Sequence, residues 1–202
     1  MSRNAIDPFF DVESSLKQFA LRDEFHGTWA TKHPLNVPGP IYVGDDCSCG
    51  TGPGVAPNNV VMIDNEEKFV AIDGICPQGG EFVYRQPVSM FELKQVISAG
   101  EINAPSTYAL DGNSHWTRKS VVALWHETHK YRVALAANLE TFWARRREHP
   151  SAMPIASDAW PSSDIERWLD YLEDGVEHYL REYCYFLDTR RLPTAATNLP
   201  PL

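Results

Sequence analysis

Residues 40–87 read PIYVGDDCSCGTGPGVAPNNVVMIDNEEKFVAIDGICPQGGEFVYRQP, and nearly all of the chain's strand-forming pattern lies within them. Four short runs are rich in β-branched and aromatic residues and are bounded by Gly, Pro, Asn or Asp; they cover 41–43, 60–63, 69–72 and 81–84. This pattern predicts a small antiparallel β-meander over 40–87. Segment 64–68 is polar and has the length of a short hairpin turn.

The first two runs are joined by residues 44–59, a connection longer than most in compact domains. This loop is rich in Gly and Pro, and it carries Asp45, Asp46, Cys47 and Cys49. Connections of this length are usually either functional or mobile, so we expect this one to be one or the other.

Helical patterns flank the strand-rich stretch on both sides. Capping residues and apolar residues at three- and four-residue spacing predict helices over 11–26, 89–100, 117–148 and 163–187. We expect the last two to pack as an antiparallel hairpin. Three prolines near the C-terminus predict an extended or disordered tail over 193–202. The sequence therefore predicts one α+β domain over 1–202, with an N-terminal helix, a small antiparallel sheet and a C-terminal pair of long helices.

Charge and cysteine content restrict the class of protein. The net charge is −9 and the sequence pI is near 5.2, which argues against binding nucleic acid through its phosphates. No apolar run approaches the ~18 residues of a membrane span, and no signal peptide begins the chain, so we expect a cytoplasmic protein without membrane attachment. Four scattered cysteines are too few for a disulfide scaffold, so reduced thiols are expected.

Two patterns raise the question of a metal site. Cys47 and Cys49 form a Cys-x-Cys pair, but zinc and iron–sulfur sites usually need four ligands. His126 and His129 resemble the His-Glu-x-x-His motif but are one residue too close. Because both patterns lack the remaining ligands, we predict no metal and no cofactor.

Several aromatic residues lie in or beside loops rather than in the helical stripes, including Tyr108 and Trp116. Grouped with Arg85 and His115, they would form an anchor for a partner or a flat ligand, although closure of the core over the sheet is the simpler interpretation. The candidate binding residues are Asp45, Asp46, Cys47, Arg85, Tyr108, His115 and Trp116.

Four segments resemble an uncharacterised family of bacterial proteins, some of them labelled ferredoxin. They are HPLNVPGPIY at 33–42, the loop containing Cys47 and Gly50-Thr51-Gly52, EFVYRQP at 81–87, and DGNSHWT at 111–117. The resemblance covers about residues 33–117. It implies a bacterial origin and no established activity, and the four cysteines do not have ferredoxin spacing.

Two functions remain open from the sequence. The first is a non-enzymatic binding protein, such as an immunity-type inhibitor whose acidic surface docks onto a basic toxin. The second is a small enzyme or ligand-binding protein, with or without a metal, whose site lies where loop 45–59 meets Arg85 and the turn at 108–116.

Overall fold

A computed structural model of the chain describes residues 25, 27–44, 50–63, 80–103, 107–148 and 160–202. The strands are β1 (Tyr42–Val43), β2 (Val60–Ile63), β3 (Gly80–Val83) and β4 (Tyr108–Ala109). The helices are α1 (Gly52–Val55), α2 (Met90–Ile102), α3 (Arg118–Glu148), α4 (Trp160–Glu173) and α5 (Val176–Thr189). The predicted α+β class with C-terminal helices is confirmed.

The strands do not form a single meander. Within the described residues, β1 pairs antiparallel with β4, and β2 pairs antiparallel with β3, which gives two separate two-stranded sheets. Strand β4 lies outside 40–87, so the predicted pairing of the first run was wrong. The predicted strand over 69–72, the turn over 64–68 and the helix over 11–26, apart from Phe25, lie outside the described residues.

Two buried side chains occupy the backbone groups that a neighbouring strand would otherwise take. Asn36 Oδ1 accepts hydrogen bonds from the amides of Val43 (3.0 Å) and Val83 (2.9 Å), which joins β1 to β3. Gln86 bonds both backbone groups of Ile41 through its amide, at 3.3 and 2.7 Å. Because these groups are already satisfied, a continuous ladder between β1 and β3 is not required.

The β2–β3 hairpin is a wall between two apolar clusters. On one face, the paired residues Val61 and Phe82 belong to the first core, which also contains the buried faces of α4 and α5. On the other face, the paired residues Val60 and Val83 belong to the second core, built mainly with α2. Alternation of side chains along a strand explains how one hairpin serves both cores.

Helix α2 starts where its capping box predicts, because Ser89 Oγ accepts a hydrogen bond from the Glu92 amide at 3.2 Å. Helix α3 agrees with the predicted 117–148. The predicted helix over 163–187 is instead two helices, α4 and α5, separated at Asp174 and Gly175. Gly175 has φ 117°, a backbone conformation that ends a right-handed helix.

Helices α3 and α5 run antiparallel. Arg118, at the start of α3, pairs with Asp188 near the end of α5 at 3.0 Å. Further along α3, Arg132 pairs with Glu173, just before α5 begins. The C-terminal tail is extended, and Arg181 of α5 donates to the carbonyls of Leu199 and Pro200. Among the described helices, none has the length and apolar content to span a membrane.

Candidate functional site

The β1–β4 sheet places two of the aromatic residues on opposite faces. Tyr42 pairs with Ala109, and Val43 pairs with Tyr108, so the rings of Tyr42 and Tyr108 point away from each other. Tyr42 faces an aromatic cluster that reaches the surface. Tyr108 faces the interior.

The surface group, which we name the Trp29 cluster, consists of Trp29, Lys32, Tyr42, His115 and Trp116. Trp29 lies edge-to-face with Tyr42 (5.3 Å between ring centroids) and with Trp116 (5.0 Å), and it stacks on His115 (4.9 Å). The structure therefore brings together two of the predicted binding residues, His115 and Trp116. Trp116 is buried, and His115 is exposed.

Asp111 ties the cluster to the turn at 111–116. Its carboxylate accepts a hydrogen bond from Tyr42 Oη at 2.9 Å, and its other oxygen lies 2.9 Å from His115 Nε2. Burial of Tyr42 and its hydrogen bond to Asp111 raise the pKa of the phenol well above its ordinary value. Tyr42 is therefore a fixed donor to Asp111 at neutral pH.

Lys32 adds a cation to this cluster. Its Nζ lies 5.1 Å from the ring centroid of Trp29 and 4.8 Å from that of Trp116, which are cation–π distances. Burial lowers the pKa of the Lys32 ammonium. Within the described part of the chain, no carboxylate pairs with it.

Tyr108 belongs to a buried polar network centred on Glu81, which is fully buried. The Glu81 carboxylate accepts hydrogen bonds from the Gly52 amide (2.8 Å), Tyr108 Oη (3.0 Å) and Asn103 Nδ2 (3.1 Å). The network joins α1, β3, the end of α2 and β4. Charge-assisted bonds of this kind hold the Gly52 backbone against Tyr108.

Arg85 lies in a third group. Its guanidinium pairs with Glu92 at 2.5 Å, and Glu92 also accepts from the Val88 amide. Arg85 contacts neither His115 nor Tyr108 in the bonds described here. Asp45, Asp46 and Cys47 lie outside the described residues.

A cleft of about 260 Å³ lies between α3 and α4 and is lined by Trp125, His126, Thr128, Arg132 and Leu172. Beside it, α4 and the start of α5 present an exposed row of carboxylates, which we name the acidic face: Glu166, Asp170, Glu173, Asp174 and Glu177. Glu173 connects the two features, because it pairs with Arg132 of the cleft wall.

The described residues contain no group of three side chains suited to hold a metal ion. His126 lines the cleft rather than a ligand set. Burial raises the pKa of the Cys184 thiol to about 11, so this thiol is protonated at neutral pH and packs within the first core.

Sequence reasoning did not single out Glu81, Lys32 or the acidic face. The acidic face was detectable, because its members recur at i, i+4, i+7, i+8 and i+11 with Arg167 as the only basic residue among them. Lys32 and Glu81 carry no such signal, since their neighbours come from distant parts of the chain.

Comparison of the chain with protein-family models, curated proteins and solved structures gave no match.

Proposed function

We propose that this chain is a non-enzymatic binding protein of the bacterial cytoplasm that docks onto a basic protein partner through the acidic face, as an immunity-type inhibitor of a toxin does. The observation that carries the proposal is the acidic face itself, together with the cleft that it borders. The sequence resemblance over 33–117 supports the bacterial origin.

The acidic face has few internal counter-charges. Arg167, the basic residue among its members, is bonded to the buried Asp164 and half-buried. Glu173 pairs with Arg132, whereas Glu166, Asp170 and Asp174 have no ion pair among the described residues. A row of unpaired carboxylates attracts a basic surface and accelerates its association.

The cleft supplies the apolar part of such an interface. Trp125 and Leu172 give it apolar walls, and His126, Thr128 and Arg132 give it polar edges. An aromatic or aliphatic anchor of the partner can enter this cleft while its Lys and Arg side chains face α4. Buried anchors surrounded by charge complementarity are typical of tight protein interfaces.

A basic partner of this kind fits a toxin that acts on nucleic acid, since such an active site must attract phosphates. An acidic helical face competes for the same positive charges and covers the site. Cytoplasmic location follows the sequence expectation of reduced thiols, and Cys184 is a free thiol.

The proposal is tested by affinity capture from the native host at physiological salt with three forms of the protein. The wild type is compared with Glu166→Gln/Asp170→Asn/Asp174→Asn and with the matched control Glu101→Gln/Glu140→Gln/Glu148→Gln. Both variants lose three exposed carboxylates, but only the first loses them from the acidic face.

We expect one basic protein to be captured by the wild type and the control and to be lost from the acidic-face variant. Expressed alone, that protein should arrest growth, and co-expression with the wild type should restore it. Equal capture by both variants, or a captured protein whose activity the wild type leaves unchanged, would contradict the proposal.

A further inference from the structure

Lys32 has a bonding capacity that the described protein does not use. An ammonium group carries three donors, and the Lys32 Nζ makes no hydrogen bond and no ion pair within the described residues. The indole faces of Trp29 and Trp116 hold it in place. The side chain is half-buried and borders exposed His115 through the shared contact with Trp29, so solvent can reach the cluster.

Trp116 provides a second unused donor. Its side chain is 6% exposed, and Nε1 is buried without an acceptor in the part of the chain that the structure describes. A buried indole N–H usually finds a partner, because leaving it unpaired costs about 1–3 kcal/mol. The same ring that supports the Lys32 ammonium therefore carries a donor that an anion could satisfy.

The charges around the cluster favour a monoanion. Lys32 contributes one positive charge, and the nearby Asp111 carboxylate, bonded to both Tyr42 and His115, contributes a negative one. A phosphate dianion would be repelled by Asp111, whereas a single carboxylate pairs with the Lys32 ammonium. The flat walls of Trp29, His115 and Trp116 suit a planar apolar body beside that carboxylate.

We propose that the Trp29 cluster is a binding site for a small aromatic carboxylate, in which Lys32 Nζ and Trp116 Nε1 donate to the carboxylate and the Trp29 and His115 rings contact the aromatic body. The site is separate from the acidic face and from the α3–α4 cleft. It can therefore be tested without reference to the proposed toxin partner.

The test uses the full-length chain and benzoate, with acetate, benzyl alcohol and inorganic phosphate as comparison probes. Isothermal titration calorimetry measures affinity at low ionic strength, and the indole N–H resonances in an NMR spectrum report contact with Trp116. Benzoate should bind saturably and shift the Trp116 Nε1–H signal, which is identified by its absence in Trp116→Phe. Each of the other three probes should bind at least about tenfold more weakly.

Variants separate recognition from packing. Lys32→Met should weaken benzoate at least about tenfold, Lys32→Arg should retain most of the affinity, and Trp116→Phe should weaken it several-fold because the ring remains but the donor is lost. Lys130→Met and Trp125→Phe serve as matched controls, and both should bind as the wild type does. Circular dichroism and thermal melting verify that each variant is folded.

Three outcomes would overturn the site. One is the lack of saturable benzoate binding up to about 10 mM in the folded wild type. The second is equal affinity for benzoate and benzyl alcohol, which would mean that the ammonium plays no part. The third is unchanged binding in Lys32→Met, in which case Lys32 only covers the two indole rings.

Discussion

Asn36 and His33 stand three residues apart on a buried segment that has no regular secondary structure, and each makes a bond that a strand would otherwise make. Asn36 Nδ2 donates to the carbonyls of His33 (2.9 Å) and Val43 (2.7 Å), while its Oδ1 accepts from two amides. All four bonding positions of the amide are thus used. Side chains with this degree of satisfaction specify one arrangement of the backbone around them.

Replacing Asn36 by Asp tests this role, because the new carboxylate oxygen would face two carbonyl oxygens that now receive donors. We expect the free energy of unfolding to fall by about 3 kcal/mol at pH 7. Denaturant titration followed by circular dichroism measures the change. Asn198→Asp, at an exposed position of the tail, is the matched control and should stay within about 0.5 kcal/mol of the wild type.

His33 predicts a pH dependence of stability. Burial, assisted by the neighbouring Lys32 charge, lowers the pKa of the imidazole from 6.5 to about 4. Between these values the unfolded chain binds a proton that the folded chain does not, so the free energy of unfolding falls as the pH falls from 6.5 to 4. The full effect is about 3 kcal/mol.

The measurement compares wild type and His33→Asn by denaturant titration from pH 7 to pH 4. Asn retains an acceptor for the Leu35 amide, which now bonds His33 Nδ1 at 3.3 Å, but it does not titrate. We expect a shallower decrease in the variant, whereas His178→Asn, on an exposed face of α5, should follow the wild type. Parallel curves for His33→Asn and wild type would show that His33 is not the titrating group.

Among the elements, α1 is the shortest helix and the most tightly constrained. A β-carbon on Gly52 would overlap Glu81 Oε2 and lie 2.6 Å from Tyr108 Oη, so only glycine fits against this buried network. Gly52→Ala should lower the free energy of unfolding by about 1–3 kcal/mol, measured by thermal and denaturant unfolding. Gly54→Ala lies on the exposed side of the same helix and is the control. An equal effect of both substitutions would refute the steric argument.

Elements that depend on local signals were predictable from sequence, and those that depend on distant contacts were not. The cap of α2 at Ser89 and the extent of α3 follow from residues within a few turns. The break at Gly175 was hidden because Leu172, Val176 and Tyr179 continue the apolar spacing across it and are all buried. The pairing of β1 with β4 was hidden because a two-residue strand contains too little pattern to select its partner.

The candidate site divides in the same way. His115 and Trp116 could be grouped because they are adjacent, and the structure places both in one cluster with Trp29. Lys32 enters this cluster only because the 3₁₀ turn at Trp29–Thr31 directs the chain back over the two indole rings. Tyr108 and Arg85 were grouped with them on sequence, whereas their bonds to Glu81 and Glu92 place them elsewhere.

At the scale of the whole molecule, the prediction of one domain rests on the β2–β3 hairpin, since its two faces belong to the two cores. Val83, fully buried in the second core, is adjacent to Phe82, fully buried in the first core and in edge-to-face contact with Trp168 of α4 at 4.8 Å. Loss of packing on one face should displace the other face. The two cores should therefore unfold together.

Native-state hydrogen exchange tests this coupling in Val83→Ala, where a cavity in the second core should cost about 2 kcal/mol. In a single cooperative unit, the most protected amides of α2 and those of α5 lose the same free energy of opening, although only α2 contacts the second core. Val133→Ala, 61% exposed on α3, is the control and should leave both sets unchanged. A loss confined to α2 would mean that the hairpin separates two independent units, because only a shared wall transmits the cavity's cost from one core to the other.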